Sequence, residues 1–409
     1  MSRKISNETD IYRKTAIGQH SPEHVLQAGL RCDLEVIGLI DHGTNIALGS
    51  TIDRHFIEDF AFVRSRLGLS TRRGDPIRIE TSSGDYDLRG DVPVPKRSAN
   101  NGLPWTSTTL PNGRTLISIS SDTIERAATL SHHARRALGL GDKEPIEIEA
   151  RQTRKYLPPV GIELSIGGPA HHRAVAKACL NALALRVGPK VLLEERFDPI
   201  RQYILHAVDH CDELMAGAVD PFPAFACFDS RQDILRSLPV GSGFGPLDHR
   251  LVIRAVKATR VAYATVELFG NIPYSVLLTD DWPADDICWA LIADPRIDGG
   301  GYRLADLALE IRPPLTRAEV LAHSTDLDSL RPNLQRLLAL LSSITEDRVF
   351  DAIAGEVFDS VLGEQDGKPL TSEQVGHLAR EMAVQLVKQV HRIDSETPLA
   401  PPVIQSKPK

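Results

Sequence analysis

An α+β fold is what this sequence predicts, on three observations. Runs such as "PIRIET", "TLISIS", "PIEIEA" and "VGIELSI" between residues 76 and 168 are β-rich and bounded by Gly, Pro, Asn and Asp. Three more strand-like runs, "LVIRAV", "VAYATVELF" and "IPYSVLLT", follow so closely in 251–279 that an antiparallel meander is expected. After about 300 the pattern turns helical, in "LTRAEVLAHS", "LDSLRPNLQRLLALLSSI" and "TSEQVGHLAREMAVQLVKQVHRI". A chain of 409 residues has room for two or three domains. The composition shifts divide it into an N-terminal module (1–75), a mixed α/β region with antiparallel strands (76–300) and a mainly helical C-terminal region (301–409). The Pro-rich end, from Thr397, is expected to fray.

In chain order, residues 1 to about 20 are polar and weakly patterned, and "LEVIGLI" (34–40) reads as a strand or hairpin arm. A helix follows, with Ser50 as its cap, Ile52, Phe56, Phe60, Val63 and Leu67 at helical spacing, and Gly68 as its stop. "SDTIERAATLSHHARRALG" (121–139) predicts a helix capped by Ser121 or Asp122. "GGPAHHRAVAKACLNALALRVGP" (167–189) is the clearest helix, with Pro169 in its first turn and Gly188-Pro189 at its end. "FDPIRQYIL" opens another, with Asp198 as cap and Pro199 at the first helical position. The final helix begins with a capping box, Thr371 with Gln374.

Hydrophobic and charged contents of 42% and 25% are those of a soluble globular protein. The formal net charge of -7 supplies no global basic field, so contact with a polyanion requires a local patch. The five cysteines, Cys32, Cys179, Cys211, Cys227 and Cys288, form no C-x-x-C pair, and their scatter fits a reducing cytoplasm. No apolar leader opens the sequence and no run of 18 apolar residues occurs, so neither a signal peptide nor a membrane span is expected.

Chemistry concentrates in "SPEHVLQAGLRCDLEVIGLIDHGTNIALGSTID" (21–53). A metal-dependent phosphodiester nuclease needs a base for water, a divalent cation on a phosphate oxygen, and a polar group that orients the base. His24 supplies an imidazole that takes a proton near neutrality. Glu23 and Asp53 supply hard oxygens suited to magnesium or manganese. Asn45 can hydrogen-bond the segment carrying His24. Each residue also has an ordinary reading. His24 suits an exposed turn, Glu23 the first turn of a helix, Asn45 a turn, and Asp53 a helix start, where an acid favours the dipole.

These residues resemble the HNH endonucleases, more narrowly a bacterial group with the pattern E-H-I-I-P, a Leu-Gly-Gly turn, C-x-x-C-N, then a Gly and an Asp on a helix. "EHVLQ" (23–27) matches the first part, with Gln27 in place of the proline, and "GLI" with "DHGTN" (41–45) falls where G-L-I-C-x-x-C-N would. Gly49 and Asp53 land on the final Gly and Asp. "FIEDFAFVRSRLGL", "GGPAHHRAVAKACLNALAL" and "FDPIRQYIL" resemble the group's downstream region, so the likeness touches roughly the first 205 residues. It implies a ββα-metal module in which His24 activates water, Asn45 orients it, and Asp53 with Glu23 holds magnesium or manganese, with zinc as a third option. DNA would be the partner, its phosphates met by Arg64, Arg66, Arg72 and Arg73.

The departures all concern the group's structural zinc. Asp41 and Thr44 occupy one expected C-x-x-C, and Asp10 and Arg13, in "DIYR", occupy the other. Arg31 and Cys32 replace the Gly-Gly. No structural zinc is therefore expected. Such an ion supplies on the order of 10 kcal/mol to a free-standing knuckle, so the hairpin must lean on the rest of the chain. An ion pair of Asp10 or Asp41 with Arg13 is a partial substitute, worth about 0–1 kcal/mol at a surface.

Three functions stay open: a metal-dependent DNA endonuclease, a catalytically inactive nucleic-acid-binding or regulatory protein on the same scaffold, and coincidence. Other motifs add little. "GGPAHHR" opens a helix that could meet a phosphate but lacks the Lys-Ser/Thr of a P-loop. His132-His133 and His171-His172 read as surface or interface pairs, because neighbours on a helix diverge. His42 and His55 are poor co-ligands. "GSGFG" (241–245) is a loop, and no nucleophile elbow or H-E-x-x-H occurs.

Overall fold

The computed structural model describes residues 2–71, 74–80, 86–89, 92–95, 105–109, 115–119, 124–139, 166–210, 225–228, 245–297, 301–307, 316–321, 327–362, 370–391 and 393. The fold is mixed α+β, with antiparallel sheets and helices. The chain divides into two compact units. The first comprises 1–77 and 164–342, and the second comprises 78–163 and 343–409. Residues 1–77 are thus not a unit by themselves, and no break falls near 300.

The first unit opens with β1 (Ser2–Lys4), β2 (His20–His24) and β3 (Glu35–Asp41). β3 is central, parallel to β1 and antiparallel to β2. Gly38 is obligatory in β3: its φ is +101°, and an added Cβ would collide with the Ile5 carbonyl. The helical segment follows directly, as α1 (His42–Leu48), a π-helical turn (Gly49–Asp53), α2 (Arg54–Asp59) and α3 (Ala61–Arg66). Its cap is Asp41, which accepts the Gly43 N–H, rather than Ser50, whose hydroxyl bonds the Ala47 carbonyl within the helix.

The second unit holds β4 (Arg78–Glu80), β5 (Tyr86–Arg89) and β6 (Val92–Pro95) in one antiparallel sheet. The hairpin of β7 (Trp105–Thr109) and β8 (Thr115–Ile119) and helix α4 (Ile124–Ala137) also belong to it. Ser121 and Asp122, the expected caps of α4, lie outside the described residues.

Back in the first unit, α5 (Pro169–Val187) is buried almost around its whole circumference between Ala170 and Ala184, as befits a central helix. α6 (Pro189–Leu192) and α7 (Asp198–Asp209) follow. Asp198 pairs with Arg201 and Lys14 rather than capping α7. The six-stranded sheet comprises β9 (Ala226–Phe228), β10 (His249–Val256), β11 (Val261–Leu268), β12 (Ile272–Thr279), β13 (Ile287–Ala293) and β14 (Tyr302–Asp306). Its order is β14-β13-β10-β11-β12-β9, antiparallel throughout, with the expected meander at its centre. β11 and β12 are buried at every residue, so both of their faces are covered.

His249 ties this sheet to the N-terminal segment. One ring nitrogen bonds the Leu30 carbonyl and the other accepts the Phe269 N–H. That pattern suits the neutral ring, and burial pushes its pKa down to about 4. Helices Arg317–Leu321, Leu327–Leu362 and Ser372–His391 complete the description, the last opened by the Thr371–Gln374 capping box. Among the described residues no helix is long and apolar enough to cross a membrane.

Candidate functional site

Period-2 alternation along β2 decides where the first pair of residues goes. Ser21 and Glu23 point inward, and His24 lies on the opposite, partly exposed face. Glu23 and His24 are adjacent in sequence yet serve different environments.

Inward, Glu23 meets α5. Arg173, Lys177 and Asn181 are spaced by four residues and form a polar stripe on a helix whose other residues from Ala174 to Ala184 are apolar and buried. The Lys177 Nζ lies 2.6 Å from Glu23 Oε1 and 2.5 Å from Asp53 Oδ2, with the Lys177 side chain 3% exposed. Asn181 Nδ2 donates to Glu23 Oε1 at 3.0 Å and to the His24 carbonyl at 3.3 Å, and its own Oδ1 accepts the Tyr12 hydroxyl at 2.6 Å. Gln27 Nε2 donates to Asp53 Oδ1 at 3.1 Å and to the Ala174 carbonyl at 3.0 Å. The Gln27 Oε1 is buried and unpartnered.

Burial by itself would lower the Lys177 pKa, but Asp53 and Glu23 outweigh it and hold the ammonium well above the ordinary lysine range. Burial, helped by Asp53, pushes the Glu23 carboxyl up against the opposing pull of Lys177. Both directions follow from one ammonium shared between the buried Glu23 and the half-buried Asp53. The Tyr12 phenol is pushed up by burial and then by the same acids, and stays a donor.

Outward, the His24 ring is engaged at both nitrogens. Nδ1 lies 3.2 Å from the Cys32 carbonyl and Nε2 lies 3.2 Å from Glu35 Oε1. Whichever nitrogen carries the lone pair, it faces an oxygen already in contact. Asn45, on α1, donates to Ser21 Oγ at 2.8 Å and to the Pro22 carbonyl at 3.1 Å, so it ties the helix to the strand carrying His24.

The four residues expected to form a metal-dependent centre therefore part company. Glu23 and Asp53 do converge, but on an ammonium. His24 and Asn45 are engaged elsewhere. A magnesium ion bound to both carboxylates at about 2.0–2.1 Å would have to occupy the position of Nζ. The residues present do not fit a divalent ion while Lys177 is there, and no chemical step is derived through one. Among the described residues no cluster of three or more His, Cys, Asp or Glu side chains could hold a metal.

The arginines are also dispersed. Arg64 is 7% exposed and reaches the Ile57 carbonyl, and burial, with Arg31 nearby, pushes its pKa down to about 10. It is an interior residue rather than a phosphate contact, because it follows Phe60 by four positions and shares that residue's buried face. Arg66 lies 5.3 Å from the centroid of the Phe62 ring. Arg72 and Arg73 lie outside the described residues.

The positions where zinc thiolates were expected hold a hydrogen-bonded knuckle. Asp10 is fully buried. Its Oδ1 accepts the N–H groups of Tyr12 at 2.7 Å and Arg13 at 3.0 Å, and its Oδ2 accepts that of Asp41 at 3.0 Å. Asp41 in turn accepts from Gly18 at 2.9 Å, Gln19 at 3.1 Å and Gly43 at 2.8 Å. The Gln19 and Gly43 N–H groups lead in holding its carboxyl below the usual range. The expected ion pair of these acids with Arg13 is replaced by backbone donors, and the Arg13 guanidinium lies 3.7 Å from Asp209 instead. Cys32 remains a buried thiol, pushed up to about 11 by burial.

His171, expected at a surface or interface, is fully buried. Its Nε2 lies 2.6 Å from Asp59 Oδ2, its Nδ1 accepts the Gly167 N–H, and its ring packs edge-on to Phe56. His132 and His133 are exposed. Lys177 and Asn181 were missed by sequence reasoning. Their signal was polar residues at four-residue intervals inside an apolar helix. Compared with family models, with curated proteins and with solved structures, the chain matches none.

Proposed function

We infer that this chain is a non-hydrolysing protein on an HNH-like ββα scaffold, acting by binding or regulation, with DNA as the first partner to test and the cytoplasm as its compartment. The scaffold reading is supported by the order β2, β3, α1, with His24 on the first strand of the β2–β3 pair and Asp53 on the helical segment that follows. The free cysteines among the described residues support the compartment. The observation that carries the non-hydrolytic reading is the Lys177 ammonium between Glu23 and Asp53. The nuclease reading keeps one observation in its favour, the tie from Asn45 to the strand bearing His24.

The deciding experiment is plasmid nicking across a magnesium, manganese and zinc series, with the parent and His24→Ala compared, alongside DNA binding as a function of salt. The expected outcome is no metal-dependent nicking by either protein. Nicking by the parent that disappears in His24→Ala restores the nuclease. Salt-insensitive behaviour with no DNA retention removes DNA as the partner.

A further inference from the structure

We propose that Lys177 is a resident cation standing where a divalent ion would otherwise sit, so that its ammonium both completes an oxygen-lined interior site and closes that site to metal. The proposal deepens the non-hydrolytic reading and rests on it.

Three side chains supply the oxygens, Glu23 on β2, Gln27 on the turn after it and Asp53 on the π-helical turn, and α5 brings the ammonium of Lys177. Single π-helical turns within α-helices are rare and frequently lie at functional sites. Here one carries Asp53 to the ammonium. The carboxylates are held independently of the lysine. Asn181, fixed by Tyr12, binds Glu23, and Gln27 binds Asp53. The amide that grips Asp53 also carries a buried oxygen, Gln27 Oε1, with no hydrogen-bond partner. The charges do not balance, since the buried Glu23 and the half-buried Asp53 both face one ammonium. A divalent ion would match them, and a lysine matches only one.

The test compares the full chain with Lys177→Ala, which vacates the position, and Lys177→Met, which removes the charge but keeps the stem. Urea unfolding is followed in EDTA and across a manganese series, with manganese binding counted by electron paramagnetic resonance. Both variants are expected to lose midpoint in EDTA. Manganese is expected to raise the midpoint of Lys177→Ala saturably, at one ion per chain. It should leave the parent and Lys177→Met unmoved, and the response should vanish in Lys177→Ala/Asp53→Asn. If Lys177→Ala is unfolded in EDTA, manganese is expected to restore its circular dichroism. A Lys177→Ala chain that neither binds manganese nor gains structure or midpoint from it overturns the proposal. So does a parent that binds manganese through Asp53. Neither outcome depends on nicking, so the proposal and the non-hydrolytic reading fail separately.

Discussion

The knuckle around Asp10 and the interior around Lys177 answer the same need by different means. In the knuckle, carboxylates hold a turn by gathering backbone N–H groups, three on Asp10 and three on Asp41. In the interior, two carboxylates are held by one side-chain ammonium and two amides. A carboxylate fed by backbone dipoles needs no opposite charge, and Asp41 sits below its usual range at an exposed rim. A carboxylate removed from water needs a counter-charge, and with only one cation for two acids Glu23 is pushed the other way.

The sharpest way to break the comparison is to remove the ammonium. Lys177→Met leaves the buried Glu23 and the half-buried Asp53 uncompensated and is expected to cost about 3–5 kcal/mol, read as a lower urea midpoint at unchanged slope. A loss under about 1 kcal/mol would mean the interior pairs contribute no more than surface ones. Asp10→Ala comes next. It orphans three N–H groups and is expected to cost about 2–3 kcal/mol in the same measurement. It should be insensitive to EDTA, since backbone N–H groups engage the oxygens of Asp10 and Asp41.

Glu23→Gln sharpens the contrast from the other side. It leaves Lys177 and Asp53 as a balanced pair and keeps an oxygen for Asn181, so a change under about 1 kcal/mol at neutral pH is expected. The signs of the two pH dependences oppose each other. A raised Glu23 contributes stability that is complete below the unfolded value and fades as pH rises through the folded value. A lowered Asp41 contributes stability present above its unfolded value of about 3.9 that is lost as pH falls through the lower folded value. Glu23→Gln should therefore remove a gain on mild acidification, and Asp41→Ala a smaller loss below about pH 4. Unfolding midpoints taken from pH 7 to pH 3 read both, and identical profiles for the two variants would erase the distinction.

Periodic features were legible in the sequence. β3, α5 and the β10–β12 meander lie where alternation and helical spacing put them, because their apolar residues repeat over many positions. The helix start was misread because Ser50 and Asp41 are both good caps, and the first residues after Asp41, His42-Gly43-Thr44, are poor helix formers. Arg64, expected to meet DNA phosphates, is buried instead, and its four-residue spacing from Phe60 already marked the buried face. Glu23 and Asp53, singled out in the sequence as metal ligands, both reach the Lys177 ammonium. What they meet was not legible, since Lys177 lies 124 residues beyond Asp53 and only tertiary packing joins them.

That separation has a consequence in time. The second compact unit contributes residues 78–163 between the two halves of the first. During synthesis at about 5–20 residues per second, the newly made Asp53 waits roughly 6–25 seconds for its lysine. Until α5 emerges, the first three strands have neither their counter-charge nor the helix they pack against, so this half-made domain is the interval in which chaperones have the most to hold.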